Sequence, residues 1–242
     1  MYQVAKYLPA GDKGIVIEFG STICREINRK IRNLAAAIDN ARLEGIGELV
    51  PTYRSLMLYY DPGKWGYGQL VAELKKIEAQ VADADLFQPK VYYLPVLYGG
   101  EYGSDLSFVG RYTDFSPDEV IKIHTAADYF IYMLGFTPGF PYLGGMDERI
   151  SVPRLEIPRT VIPTGSVGIA GNQTGVYPLE SPGGWRLIGR TPVKLFDPSR
   201  NSPFLLEAGN YLRFYQITFQ EYQDIAEKVA NNSYHVKTLN YH

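Results

Sequence analysis

The sequence has almost no cysteine and little histidine. Cys24 is the single cysteine, so an internal disulfide framework and a zinc site built on paired cysteines are both excluded. Of the three histidines, His124 stands alone within the chain, whereas His235 and His242 are close to its end. This distribution argues against a catalytic metal centre with several histidine ligands, and we expect no set of metal ligands in this chain.

An excess of charge of one sign and long hydrophobic runs are also missing. The chain has 24 Lys and Arg against 26 Asp and Glu, a formal net charge of −2. A nucleic-acid or anionic-membrane binder needs a surplus of basic residues, which this composition lacks. No stretch approaches the roughly 18 consecutive apolar residues of a membrane-spanning helix, and the N-terminus shows no export signal. We therefore expect a cytoplasmic protein with neither nucleic-acid nor membrane partners.

The first half of the chain has the pattern of a small α/β domain. Two apolar runs, 4–8 and 15–19, predict strands, and a stripe from Ile23 to Ile38 at spacings of three and four predicts a helix. We expect that helix to be capped by Ser21 or Thr22 and to end at Gly45. Two more strands are predicted by apolar runs at 48–51 and 55–60, and a second helix by an apolar stripe over 67–81. The predicted order is ββαββα, for a domain of residues 1–86.

The second half, residues 87–242, is predicted to be mainly β. Apolar runs at 91–97, 129–134, 193–196 and 211–217 are typical of strands. Ser116 followed by Pro117 and Glu119 predicts the start of a helix, and Thr218 with Glu221 predicts another. The tail from Asn231 is expected to be frayed.

Glycine and proline are concentrated in the second half. Residues 135–192 contain 11 of the 24 glycines and 8 of the 16 prolines, interspersed with short apolar groups. Such a segment suits a closed or sandwiched β-domain, in which each glycine can serve a turn or let the backbone approach a ligand closely. The phosphate-binding patterns G-x-x-x-x-G-K-S/T and G-x-G-x-x-G do not occur, so a nucleotide would need another cradle or the surface of a partner.

The dense tracts resemble those of the B subunits of 5-oxoprolinase, a family formerly called allophanate hydrolase subunit 1. They are GFTPGFPYLGG at 135–145, PRT at 158–160, PTGSVGIAG at 163–171, QTGVYP at 173–178, SPGGW at 181–185 and LIGRT at 187–191. The resemblance implies an α+β N-terminal domain followed by a cyclophilin-like β-barrel domain. It also implies a protein that is inactive alone and works with the 5-oxoprolinase subunits C, by direct contact, and A in the ATP-dependent opening of 5-oxo-L-proline to L-glutamate. ATP would be a co-substrate of the complex.

The resemblance leaves other functions open. The same family includes a bacterial sporulation inhibitor, so binding and inhibition of a sensor histidine kinase is the alternative. A third possibility is carboxyltransferase chemistry on an amide such as urea or allophanate. Peptidyl-prolyl isomerisation is suggested by the implied barrel alone, and a fold does not determine a function.

Candidate site residues come from the tracts and from His124. The catalytic candidates are His124 and Arg159: His124 as a general base, with a packed or hydrogen-bonded core histidine as the alternative, and Arg159 as a cation that binds a carboxylate or phosphate. Substrate-binding candidates are residues that offer aromatic walls, polar contacts, a second cation or close backbone approach. They are Phe136, Thr137, Gly139, Phe140, Gln173, Thr174, Gly175, Tyr177, Ser181, Gly183, Gly184 and Arg190.

Overall fold

The computed structural model describes residues 1–81 and 88–241, which divide into two compact units, 1–88 and 89–242. The predicted domain boundary between residues 86 and 87 lies outside the described residues. No helix in the described part is long and apolar enough to cross a membrane.

The first unit is an antiparallel sheet packed against two helices. Its elements are β1 (Lys6–Pro9), β2 (Gly14–Glu18), α1 (Arg25–Ala41), β3 (Ile46–Pro51), β4 (Ser55–Tyr60) and α2 (Tyr67–Val81), with strand order β1-β2-β4-β3. The apolar stripes of both helices share one core with the inward residues of β2 and β4, because both patterns bury one side only.

The predicted ends of α1 are wrong. The helix begins after Cys24, whose side chain makes no capping hydrogen bond, rather than after Ser21 or Thr22. It ends before Arg42, whose left-handed backbone (φ 45°) directs its N–H to the carbonyl of Asp39. Gly45 also has a positive φ, of 82°, but it belongs to the turn that leads into β3.

The second unit is built around an eight-stranded sheet. Its elements are β5 (Lys90–Tyr98), α3 (Leu106–Thr113), α4 (Pro117–Ala126), β6 (Tyr129–Leu134), β7 (Pro141–Gly144), β8 (Arg159–Ile162), β9 (Ser166–Ala170), β10 (Gln173–Val176), β11 (Ser181–Gly183), β12 (Arg186–Arg190), β13 (Tyr211–Gln216), α5 (Phe219–Ala230) and β14 (Thr238–Asn240). The strand order is β10-β9-β12-β5-β13-β6-β7, and β14 also pairs with β5. The two end strands, β10 and β7, lie beside each other, so the sheet forms a nearly closed barrel. The label cyclophilin-like stays a prediction.

Two helices of this unit begin where their capping residues predicted, whereas three other features of the unit differ from the prediction. Complete capping boxes at Ser116 and Thr218 begin α4 and α5 as expected. No sequence pattern indicated α3, and residues 193–196 form only an isolated bridge between Phe196 and Phe204. The tail predicted to be frayed contains β14, which pairs with the start of β5.

Candidate functional site

A cavity of about 260 Å³ in the second unit brings the glycine-rich tracts together, and we call it the aromatic pocket. Six of the predicted site residues line it: Phe136, Phe140, Gln173, Tyr177, Gly183 and Gly184. The other lining residues are Tyr142, Arg154, Pro182 and Trp185. Because these residues come from the loop before β7, from β10 and from the β11 region, the tracts converge in space although they span about 50 residues of sequence.

The loop between β6 and β7 places two phenylalanines at the pocket. Phe140 N–H donates to the carbonyl of Thr137, and Gly135 N–H donates to the carbonyl of Phe140, which closes a tight turn. Gly139 has φ 83°, and a Cβ there would come 3.0 Å from the Cβ of Phe196, so this turn requires glycine. Phe136 also has a positive φ, of 64°, and the residue is 70% exposed. A bulky residue in this conformation is uncommon, and the turn that it forms presents an aromatic ring at the pocket.

Phe140 is the centre of the aromatic wall. Its ring lies 5.5–5.8 Å from the rings of Phe136, Tyr142, Tyr177 and Trp185, always in edge-to-face orientation. Edge-to-face contacts of this kind are favourable, and the five rings together form an apolar wall. Such a wall can pack against the apolar part of a small ligand.

Two glycines make room for these rings. A Cβ at Gly175 would lie 3.1 Å from both Phe140 and Trp185. A Cβ at Gly183 would lie 2.6 Å from the hydroxyl oxygen of Tyr177 and 2.7 Å from Cδ1 of Ile162. The strand β11 thus approaches Tyr177 more closely than a larger residue would allow.

The charged residue at the pocket is Arg154, which no sequence pattern indicated. It is exposed and lines the cavity next to Tyr177. Burial raises the pKa of Tyr177, although a backbone hydrogen bond with Trp185 and the charges of Arg154 and Arg159 oppose the rise, so Tyr177 is a neutral phenol at pH 7. Arg154 lies outside the dense tracts, and no residue pattern marks it.

Arg159 supports the wall of the pocket through an ion pair. Its Nη2 donates to both oxygens of Asp105, at 3.0 and 2.9 Å, and its Nη1 donates to the carbonyl of Trp185. Asp105 also accepts from the backbone N–H of Leu187 at 2.7 Å and lies 3.9 Å from Arg186. Asp105 therefore compensates the charge of Arg159, and this favours a role in fixing Trp185 over direct contact with an anion.

His124 lies in the core and is completely buried. The hydroxyl of Thr174 donates to the carbonyl of Gly168, so it accepts from Nε2–H of His124 at 2.9 Å. Nδ1 then accepts from the hydroxyl of Tyr98 at 2.8 Å. Burial lowers the pKa of His124 to about 3. A neutral, fully hydrogen-bonded histidine without access to solvent fits the core alternative, and this geometry speaks against the general-base hypothesis for His124.

Arg190 also lies elsewhere in the unit and does not line the aromatic pocket. Its guanidinium lies 5.8 Å from the ring centre of Tyr102, and it interacts with Tyr222 of α5. The hypothesis that Arg190 is a second substrate cation therefore lacks support from the pocket geometry.

Two predicted polar contacts are buried hydroxyls without a partner. Within residues 1–81 and 88–241, neither Thr137 Oγ1 nor Ser181 Oγ has a hydrogen-bond partner. Each is next in sequence to a lining residue of the pocket, Phe136 or Pro182. A buried hydroxyl without a partner is costly, so these two groups are candidates for hydrogen bonds to a bound molecule.

The described residues contain no group of three His, Cys, Asp or Glu side chains that could hold a metal ion. The groups at the pocket are aromatic rings, an amide, a guanidinium and backbone. They can bind a small polar molecule and shield it from water.

Comparison with known proteins identifies relatives. The model of the family "Carboxyltransferase domain, subdomain C and D" matches residues 5–206. The B subunit of 5-oxoprolinase from Bacillus subtilis (strain 168) is 41% identical over 228 residues, which are 90% of this chain and 95% of that protein. The crystal structure of TTHA0988 is 38% identical with a TM-score of 0.76, and the match covers 85% of this chain but 40% of that longer chain. The K. lactis urea amidolyase shares the fold, with a TM-score of 0.78 at 23% identity over 98% of this chain and 16% of that protein.

Proposed function

The chain belongs to the carboxyltransferase C and D subdomain family and, within it, to the 5-oxoprolinase B subunits, and on this premise we propose that it is the B subunit of an ATP-dependent 5-oxoprolinase. With the A and C subunits it opens 5-oxo-L-proline to L-glutamate. The observation that carries the proposal is the small aromatic pocket, which the tracts of this family form and which has an arginine beside it.

The chemistry of the reaction suits such a pocket. The substrate is a lactam, whose amide resonance makes it a poor electrophile. Phosphorylation of the amide oxygen removes that resonance, and this explains the need for ATP. Water then adds to the activated carbon, the ring C–N bond breaks to free the amine, and a second water molecule releases the phosphate to leave glutamate. The aromatic wall covers part of the substrate and limits attack of other water on the phosphoryl group.

We assign the substrate contacts by their chemistry. The ring of 5-oxoproline packs against Phe140 and Tyr177, and its carboxylate pairs with Arg154. Gln173, with an amide that can both donate and accept, faces the lactam amide. A cavity of about 260 Å³ suits a ligand of the size of 5-oxoproline better than one of the size of ATP. We infer that ATP binds on a partner subunit.

Exposed apolar residues near the pocket provide a surface for the C subunit. Phe136 is 70% exposed, Ile157 85% and Val161 52%. Ile157 precedes Pro158, which is next to Gly184, and Val161 lies on β8, which pairs with β11. Large apolar side chains of this kind anchor protein interfaces. Binding of the C subunit here would cover the pocket and complete the site.

The test of the function is reconstitution. The purified chain, given ATP and 5-oxoproline, is expected to release no glutamate above background, whereas the mixture with the cognate A and C subunits should release glutamate in an ATP-dependent way. Glutamate is measured by an enzyme-coupled assay, and each subunit is omitted in turn as the control. Full turnover by this chain alone, or no turnover by the complete set, would overturn the proposal.

Replacement of a glycine at the pocket tests the role of the pocket, with a glycine of the first unit as the control. Gly183→Ala should lower kcat/KM of the reconstituted enzyme at least about tenfold, because the new methyl group displaces Tyr177, and misplacing a site by about 1 Å has effects of that size. Gly68→Ala is the control, because Gly68 belongs to α2 of the first unit and a Cβ there meets no atom within 4 Å. The activity of this variant should stay near that of the unchanged enzyme. Equal activities of the two variants would contradict the pocket assignment.

Carboxyl transfer is a second candidate, which the name of the family model favours. It predicts that a carboxyl group passes from carboxylated biotin to urea, which frees the biotin, whereas the main proposal predicts ATP-dependent release of glutamate from 5-oxoproline. Product analysis of the reconstituted set, supplied with each pair of substrates in turn, separates the two reactions. Inhibition of a sensor histidine kinase stays a prediction.

A further inference from the structure

A second cavity of the same unit is lined by basic side chains and lies outside the aromatic pocket. It measures about 380 Å³, and Lys194, Arg200 and His235 line it together with Asn232. None of these residues belongs to the aromatic pocket. The chain as a whole has a net charge of −2, so a concentration of basic side chains around one cavity is not a consequence of composition. We call this second cavity the basic cavity.

The two strong cations of the basic cavity share a single carboxylate and are not hydrogen-bonded to it. Lys194 Nζ and Arg200 Nε both lie 3.6 Å from Oδ2 of Asp197. The other oxygen, Oδ1, accepts from the backbone N–H and the hydroxyl of Ser199 at 3.1 and 2.6 Å. Within the described ranges, the side chains of Lys194 and Arg200 make no hydrogen bond. One negative charge therefore faces two positive charges, whose side chains are 50% and 36% exposed and whose donors have no partner among the described residues.

The remaining walls of the basic cavity add donors and an apolar base. The amide of Asn232 and the imidazole of His235 can donate hydrogen bonds, whereas Val193, Leu205 and Val229 provide apolar surface. The helix α5 ends beside the cavity, and its last carbonyls are satisfied by the backbone N–H groups of residues 231–233. The carbonyls of Glu227, Lys228 and Val229 at this helix end thus already have hydrogen-bond donors.

We propose that the basic cavity binds a phosphate group carried by a small organic molecule, with Lys194 and Arg200 as its main ligands. A phosphate offers three oxygens and about two negative charges, which match a guanidinium fork and an ammonium group better than the single shared carboxylate does. The apolar base receives the organic part of the ligand. This site is separate from the aromatic pocket, so it does not depend on the proposed function.

The probes are phenyl phosphate, inorganic phosphate and benzoate, titrated into the intact chain by isothermal calorimetry in a phosphate-free buffer. Phenyl phosphate is expected to bind with a Kd below about 1 mM, inorganic phosphate more weakly because it lacks the apolar part, and benzoate most weakly. Benzoate binding as tightly as phenyl phosphate, or no saturable binding of phenyl phosphate up to about 10 mM, would overturn the proposal.

Variants locate the site and test its charge. Arg200→Gln should weaken phenyl phosphate binding about tenfold, which is the loss of one charge-assisted hydrogen bond. Asp197→Asn should strengthen binding, because it removes the competing charge and leaves an oxygen for Ser199. Lys228→Gln, an exposed cation of α5 that does not line the cavity, is the matched control and should leave binding unchanged. Equal losses in Arg200→Gln and Lys228→Gln, or weaker binding by Asp197→Asn, would refute the assignment.

Discussion

Replacement of Asp105 by asparagine is expected to lower the free energy of unfolding of the second unit by about 3 kcal/mol, the low end of the cost of breaking a buried ion pair. The Asp105 side chain is 10% exposed, and Arg159 and Arg186, at 29% and 16%, are largely withdrawn from water. An asparagine keeps one oxygen for the backbone N–H of Leu187 but turns an amide donor toward the guanidinium of Arg159. Two arginines then stay partly buried without an anion.

Fluorescence of Trp185 in a urea titration measures this effect. Trp65 belongs to the first unit, so a Trp65→Phe background leaves Trp185 as the single tryptophan and reports on the second unit alone. Asp147→Asn is the matched control, because Asp147 pairs with Arg149 at the exposed surface, where ion pairs contribute little. Should both variants lose the same stability, the Asp105 pair would have no special structural role.

The sequence predicted those elements that depend on neighbouring residues. The capping boxes at Ser116 and Thr218 act within four residues, so both helix starts were correct. The predicted start of α1 was wrong because it relied on a serine or threonine as the cap. The observed cap is Cys24, which makes no side-chain hydrogen bond and so gives no capping signal. Local patterns thus locate a helix better than they fix its ends.

Two elements of the second unit that lack a clear local pattern were not predicted, whereas the longer apolar runs of β5, β6 and β13 were. Helix α3 has eight residues with a glycine inside, too short for a clear apolar stripe. Strand β14 consists of exposed residues, and it exists because it pairs with Lys90, Val91 and Tyr92, about 150 residues earlier. Its sequence alone carries no signal of that pairing.

For the candidate site, too, the sequence predicted some features and not others. The glycine-rich tracts predicted which segments meet, since aromatic residues and glycines within them form one wall. They did not predict the role of each side chain. Arg159 was predicted to bind an anion, but its guanidinium pairs with the carboxylate of Asp105, 54 residues away in the sequence. Arg154 has no pattern around it, and only the fold brings it to the pocket.

The buried state of His124 should make the second unit sensitive to acid. Because burial lowers the pKa of His124 to about 3 from an ordinary value near 6.5, the unfolded chain binds a proton in this interval that the folded chain does not. Stability is therefore complete above pH 6.5 and falls as the pH decreases from 6.5 toward 3, by up to about 1.4 kcal/mol per pH unit from this histidine alone. His124→Gln removes the titrating group but keeps an amide that can bond to Thr174 or Tyr98, so its stability should depend less steeply on pH by that amount.

Urea titrations at pH 7, 6, 5 and 4.5, again in the Trp65→Phe background, give the free energy of unfolding against pH for the unchanged protein and for His124→Gln. The carboxylates contribute equally to both slopes, so the difference between the slopes reports on His124. Tyr98→Phe is the control, because it removes the hydrogen bond to Nδ1 and lowers stability but leaves the histidine buried, so the steep pH dependence should persist. If the unchanged protein and His124→Gln lost stability in parallel as the pH falls, His124 would not be the buried neutral group that the contacts with Thr174 and Tyr98 describe. The general-base hypothesis would then regain support, because a base must take up a proton during the reaction, and burial of His124 disfavours its protonated form.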